Sequence, residues 1–428
     1  MIDGGRAFDA DCGGGFTRKH GAALPPILLD VSRLVSRIGQ GHPTGVDRVE
    51  AAWLGHLTSR PQHHLLCRTR LGQLILPADA AGIILKAVGM APDGRSEAVA
   101  TGPVRNLTLP RGWHRPRIEA ALFRAARARA DRQGKGLAAA LRRAGVCDES
   151  VYLNTGHANL TAGLLSGIPL RRAVLIHDAI PLDYPQWARQ GQDRIFQTRL
   201  QAAFDHAGLV LTVSRASADR LQFWCSRLKP LRAPPIVAAP VGTSLAQPDP
   251  GRPLPPGSFF LTIGTIEPRK NHALLLDAWA KLPDPPTLII AGRRGWRNDE
   301  VFARLDAMDA GAMIREFADL SDAAIAALMA GARALLFPSH AEGFGLPLTE
   351  AAARGVPILA QELPSTREIL GGYPRYLPDD PAIWAAEIAA MAKAPLIRQT
   401  PASVPTWGGH FRMVAEALSA LPRDRRAQ

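Results

Sequence analysis

Two glutamates eight residues apart, Glu342 and Glu350, close the ends of the string Glu342-Gly343-Phe344-Gly345-Leu346-Pro347-Leu348-Thr349-Glu350. Ionised carboxylates accept hydrogen bonds from pairs of hydroxyls, the groups that sugars and riboses present. Between the glutamates, Gly343 and Gly345 let a ligand approach the backbone, because neither carries a Cβ. The string follows an apolar run ending at Phe337 and leads into a helical pattern. Free amides at such a helix start suit an anion or a sugar hydroxyl. Two glutamates alone would be incidental acids on a turn and a helix; the whole string, set between a strand and a helix, carries the reading.

The string resembles the Glu-x7-Glu signature of the group 1 family of retaining glycosyltransferases. The fold that this resemblance implies is α/β: the GT-B fold, two Rossmann-like doubly wound domains facing each other across a cleft, with a nucleotide-sugar donor held mostly by the C-terminal one. It implies that Glu350 holds the donor ribose and that Glu342 faces the transferred sugar. The amides of Gly343, Phe344 and Gly345, with Leu346 beside them, would contact that sugar or its phosphate. Gly264-Thr265-Ile266-Glu267-Pro268-Arg269-Lys270-Asn271 looks like the same family's phosphate-binding loop. Arg269 and Lys270 there can neutralise a diphosphate leaving group as the glycosidic C–O bond breaks. Many members carry an arginine directly after the glycine; this chain has Thr265, and Arg269 is the residue available to stand in.

Further candidates sit on other strand ends. Gly292-Arg293-Arg294-Gly295-Trp296 makes Arg293 either a second phosphate partner or part of a basic surface turn. His177 and Asp178 end the run Val174–Ile176. His177 either is structural or contacts the transferred sugar from across the cleft, as the family's His-Asp pair does. Asp178 reads as a loop anchor. In the first strand–helix loop, Gly39, Gly41 and Gly45 lack the G-x-G-x-x-G spacing of a dinucleotide fingerprint; the resemblance makes Gly45 and Arg48 the candidates bordering acceptor and donor phosphates. Asn154-Thr155-Gly156-His157 is a further stretch for the cleft, with no chemistry that decides its role. Thr406-Trp407 and the run His410–Leu421 resemble the family's final helix, with Trp407 as a packing anchor.

The elements that must position these residues follow from periodicity. Ile27–Val31 reads as a strand, followed by a helix from near Val46 with Thr44 or Asp47 at its start. Residues 60–110 hold short apolar runs of no assigned order. In 114–145, Ile118, Leu122 and Ala125 fall at helical spacing, and Gly134 and Gly136 divide the stretch into two helices. From Val151 onward strands alternate with helices, which argues for parallel sheets covered on both faces. Pro248, Pro250, Pro253, Pro255 and Pro256 mark a linker. The expected division is therefore a disordered tail over 1–23, an N-terminal acceptor-side domain over 24–245, a linker over 246–257, a C-terminal nucleotide-sugar domain over 258–405, and a helix within 406–428 that packs back on the N-terminal domain.

Bulk properties bound the function. A chain of 428 residues exceeds one ordinary core. No apolar run approaches the ~18 residues of a membrane span, and the N-terminus lacks the basic-then-apolar pattern of a secretory signal. The four cysteines are scattered, without a C-x-x-C pair, so neither a disulfide framework nor a zinc site is expected, and a reducing compartment is. The cytoplasm, or the inner face of the membrane as a peripheral site, is the expected location. Net charge is +13, and residues 111–143 hold ten Lys/Arg against two Asp/Glu. That block reads as a solvated face, or as a surface for an anionic membrane or an acidic substrate. Nucleic acid is disfavoured, since Trp113 and Phe123 are its only aromatics. No Asp-x-Asp cluster follows a strand, so no metal and no cofactor are expected. The expected activity is retaining transfer of a hexose, mannose-like, from a nucleotide-diphosphate sugar to a polysaccharide or lipid-linked glycan acceptor in cell-surface polysaccharide synthesis. The alternative is a non-catalytic nucleotide-sugar-binding scaffold on the same fold.

Overall fold

The computed structural model describes residues 23–41, 43–58, 60–90, 115–308 and 313–422. The expected tail over 1–23 lies outside the described residues except for Ala23, as does Arg111 of the basic block. Short runs of leucine, valine and isoleucine form the strands of two sheets. The first holds β1 (Ile27–Asp30), β2 (His64–Thr69), β3 (Gly72–Pro77), β4 (Ala128–Ala130), β5 (Val151–Asn154), β6 (Arg171–Ile176), β7 (Leu209–Thr212) and β8 (Ile236–Ala238), in the order β4-β3-β2-β1-β5-β6-β7-β8. The second holds β9 (Phe259–Ile263), β10 (Thr287–Ala291), β11 (Ile314–Phe317), β12 (Leu335–Phe337), β13 (Ile358–Ala360) and β14 (Arg375–Tyr376), in the order β11-β10-β9-β12-β13-β14. No helix or strand interrupts 239–258 between them.

The second sheet is parallel throughout. The first departs from the expected parallel pattern at one edge, where β2–β3 and β3–β4 run antiparallel. The cause is local: Thr69 pairs with Gly72, so only Arg70 and Leu71 join the strands, and a two-residue link permits only a hairpin. The basic stretch is likewise not two successive helices. It forms a helix at Arg115–Ala125, then β4, then a helix at Leu137–Arg143.

Alternation along each strand feeds two faces. In the first lobe Leu29, Leu65, Leu153, Leu175 and Leu211 share one core with Trp53. Leu28, Leu66, Tyr152, Val174 and Val210 share the other with Phe204. The final helix, Trp407–Ser419, belongs to the first of these cores through Val414 and Leu418. Its His410 ties the helix to both halves of that lobe. The Trp53 indole donates to His410 Nε2 at 3.1 Å, so Nδ1 carries the proton and donates to the carbonyl of Ala239 at 3.0 Å. Burial lowers this imidazole to about 4, so it is neutral in the folded chain. Among the described residues no helix is long and apolar enough to cross a membrane.

Leu418 is fully buried. Leu418→Ala is expected to lower unfolding free energy by about 2–5 kcal/mol in urea denaturation followed by tryptophan fluorescence. A change within measurement error would mean that the final helix does not share the first lobe's core.

Candidate functional site

In open parallel sheets, ligands bind beyond the carboxyl ends of the strands where the strand order reverses. Here the order reverses between β9 and β12 in the second sheet and between β1 and β5 in the first. The loops that leave these strands carry most of the candidate residues.

After β9, a short 3-10 turn at Pro268–Lys270 presents Arg269 and Lys270. After β12, the chain reaches Glu342. The two loops meet in a charged triad: Lys270 Nζ lies 2.5 Å and Arg269 Nη1 2.7 Å from Glu342 Oε1. Arg269 also binds Glu267 at 2.6 Å and the carbonyl of Ala341 at 2.7 Å. Burial pushes the Glu342 carboxyl up, but Arg269 and Lys270 pull it further down, below the usual carboxylate range. The opposing effects on Arg269 also end in favour of its charged form, because Glu342 and Glu267 outweigh its burial. Glu342 and Arg269 are therefore held ionised, whereas burial lowers the Lys270 ammonium below its usual range despite the opposing pull of Glu342.

Gly345 takes a left-handed conformation as N-cap of the helix Leu346–Ala353. Among the described residues, no protein acceptor takes the amides of Gly343, Phe344 or Gly345. That helix carries Glu350, which burial raises to about 7, with Arg48 opposing and Asp322 adding to the shift. Arg48 comes from the other lobe, reaching Asp322 at 2.5 Å and Glu350 at 3.9 Å. It sits on the helix Gly45–Leu57, where Thr44 and Asp47 form a capping box. A Cβ on Gly45 would lie 3.6 Å from Leu346, so the two candidate loops face each other.

His177 lies at the end of β6. Its Nε2–H donates to the carbonyl of Thr155 at 2.9 Å, and its amide donates to His157 Nε2 at 3.1 Å. Burial lowers the imidazole to about 4, so it is neutral near pH 7. Asp178 accepts from the amide of Ile180 at 3.1 Å, as a loop anchor does. The backbone here touches the opposite lobe: a Cβ at Gly343 would stand 2.7 Å from the carbonyl of His177. Glycine at 343 is what lets the lobes approach this closely. Arg293 bridges the lobes in another way, donating to Asp319 at 2.6 Å and to the carbonyl of Gln40 at 3.1 Å. Gly264 lies against the stem of Lys270.

Several interlobe residues escaped the sequence reading. Ser214, legible only as a helix cap, also donates to the carbonyl of Gly343 at 2.7 Å, and Ser217 reaches the same carbonyl at 3.4 Å and that of His177, in its own lobe, at 3.1 Å. The Glu368 carboxylate accepts from the amides of Arg215 and Ala216 at 2.8 and 3.0 Å, capping a helix of the other lobe. Trp187 stacks on His340, and Trp296 donates to the carbonyl of Trp187 at 2.8 Å. Spacing gives no signal for such contacts. Among the described residues no group of three or more His, Cys, Asp or Glu is placed to hold a metal ion.

The raised Glu350 carboxyl fixes the sign of one pH effect. The folded chain holds this proton up to about pH 7, whereas the ordinary value is 4.5. Its contribution to stability is thus full below pH 4.5 and is lost as pH rises through 7. Relative to Glu350→Gln, the protein should lose on the order of 3 kcal/mol between pH 4 and pH 8. Urea denaturation at several pH values reads this; a difference independent of pH would mean that Glu350 ionises freely.

Residues 252–390 match the family model described as "Glycosyl transferases group 1". The serotype-specific mannosyltransferase WbdA of Escherichia coli is 30% identical over 214 residues, covering 46% of this chain and 26% of WbdA. The O-antigen chain mannosyltransferase B of Escherichia coli is 32% identical over 217 residues, covering 47% of this chain and 56% of that protein. The chain thus spans about a quarter of the one relative's length and about half of the other's. Among solved structures, HepE of Anabaena in complex with UDP and glucose superposes with a TM-score of 0.59 at 17% identity, covering 93% of this chain and 100% of that one. At that identity the likeness shows the fold alone. Over its second lobe the chain is therefore similar to the group 1 glycosyltransferases, and its two sheets have the GT-B fold.

Proposed function

We propose that this chain transfers a hexose, mannose by preference, from a nucleotide-diphosphate sugar to a glycan acceptor in cell-surface polysaccharide synthesis. The observation that carries this is the convergence of Arg269 and Lys270 on Glu342 at the β9/β12 reversal, next to the amides of 343–345, which no described protein acceptor takes. The names of the two mannosyltransferase relatives support the sugar and the pathway class. Their activity is not carried over from length, since each extends well beyond the matched region.

In this reading the donor's ribose hydroxyls meet the Glu350 carboxylate, and its diphosphate meets Lys270, Arg269 and the helix-start amides. Negative charge develops on the leaving diphosphate as the anomeric C–O bond breaks, and the two fixed cations stabilise it. Transfer then proceeds without a divalent cation, because Arg269 and Lys270 supply the positive charge. The Glu-x7-Glu resemblance implies retention. The acceptor oxygen forms its bond to the anomeric carbon on the face the diphosphate leaves, and its proton passes to the departing phosphate oxygen. Glu342, held ionised by two cations, is positioned to take hydroxyls of the transferred sugar. His177, neutral and with its ring turned to Thr155, orders the loop opposite. Closing the lobes over the donor would exclude water.

A panel of nucleotide sugars identifies the donor by the rise in melting temperature that binding produces. With that donor and a glycan acceptor extract, Glu350→Ala and Lys270→Ala should each lower transfer by about 10²–10³-fold while circular dichroism stays that of the parent. EDTA should leave the parent rate unchanged. Full activity in both variants would remove these residues from the site. Donor binding with neither transfer nor hydrolysis would favour the non-catalytic scaffold instead.

A further inference from the structure

A polar cavity opens in the first lobe. Its volume is about 100 Å³. It lies at the carboxyl ends of β1 and β2, beside the β1/β5 reversal. Its lining includes Ser32 and Ser36 from the short helix Ser32–Arg37 after β1, Arg68 and Arg70 at the tip of the β2–β3 hairpin, and Arg115 and Arg132 from the basic block. Four guanidinium groups thus meet around one small space, and no acidic residue is among the described residues that line it.

Among the described residues, one neighbouring carboxylate pairs with this set, which leaves three of the four arginines unpaired. Glu119 accepts from Arg115 at 2.7 Å and is used up there. Asp30 lies beneath, taken by the amide of Ser32, the Tyr152 hydroxyl and Asn159, and burial pushes its carboxyl upward, toward the neutral form. Among the described residues, the guanidinium groups of Arg68, Arg70 and Arg132 have no ion-pair or hydrogen-bond partner. Arg199 adds to the crowding: burial, then the charges of Arg68 and Arg33, disfavour its protonated form. Ser32 accepts from the amide of Arg68 at 2.9 Å, which leaves its own proton free to donate. Unpaired arginines around a cavity at a strand-end reversal make a site for a multiply charged oxyanion, which guanidinium forks bind in pairs.

We propose that this cavity binds a phosphate or diphosphate group carried by the acceptor. The ligand class, phosphate, stands on the cavity itself; its assignment to the acceptor rests on the glycosyltransfer reading. Two arginines of the basic block, Arg115 and Arg132, thereby have a specific task rather than a diffuse one. The phosphate would hold the acceptor on the first lobe while its reacting hydroxyl extends toward the donor.

The test uses the full chain with the donor site saturated by whichever nucleoside diphosphate raises the melting temperature most. Inorganic pyrophosphate is then titrated calorimetrically. The parent should bind it, and the double variant Arg68→Ser, Arg132→Ser should bind on the order of tenfold more weakly or worse. The nucleoside diphosphate's own thermal shift should be the same in both, which shows that the variant is folded and its donor site intact. Equal pyrophosphate affinity in parent and variant would overturn the proposal. If no nucleoside diphosphate binds the parent, the donor reading fails instead, and the same titration on Lys270→Ala still tests the cavity. Cosedimentation with phosphatidic acid vesicles separates the sources. Loss of vesicle binding in the double variant supports a lipid-borne phosphate. Binding of pyrophosphate alone supports a soluble, phosphate-bearing glycan.

Discussion

The rest of the site depends on a carboxylate, Glu342, buried between two cations. A buried charge without a partner costs several kcal/mol, so Glu342, Arg269 and Lys270 must be brought together as the second lobe folds. Two loops from neighbouring strands, β9 and β12, accomplish this, because the strand order reverses between them. The same reversal opens the crevice in which a ligand's phosphate and sugar would lie. The glutamate is the counter-charge to the two cations. A bound diphosphate would take that role and release the carboxylate toward sugar hydroxyls.

The lobes are held by many polar contacts and by Phe344, which joins the first lobe's core with Leu346 and Ile369 packed against it. Serine hydroxyls on backbone carbonyls, a glutamate on helix-start amides, Arg48 on Asp322 and Glu350, and Arg293 on the carbonyl of Gln40 all cross the cleft. Interfaces of this kind are individually weak and reversible, which suits the opening and closing of the cleft that the proposed transfer requires. The final helix has the opposite character. Its Val414 and Leu418 are in the first lobe's core, and His410 is hydrogen-bonded on both sides. It forms a stable tie that can persist while the cleft opens.

The second-lobe candidates were legible in the sequence because their signals are local. The string from Glu342 to Glu350 and the Arg269-Lys270 pair each lie within one strand–loop–helix unit, where spacing and residue type suffice. The alternating apolar runs after Val151 were readable for the same reason. Residues 60–90 were not, since short apolar runs fit either period, and it was the two-residue link at Arg70 and Leu71 that forced a hairpin and a mixed sheet. Arg293 was readable as a basic residue after β10, but its bond to Gln40 spans 253 positions, and no pattern encodes that. Ser214, Ser217 and Glu368 were hidden likewise. The four-arginine cavity was visible in sequence only as part of a charge excess, because its members come from three separate segments.

The central claim is that the nucleotide-sugar donor sits at the β9/β12 reversal. Photo-crosslinking with an azido-substituted nucleotide sugar, followed by peptide mapping, tests it most directly. The account predicts label on peptides containing 264–271 and 338–350, lost when unmodified donor is added in excess. Competable label confined to the first lobe, around β1 and β2, would contradict it.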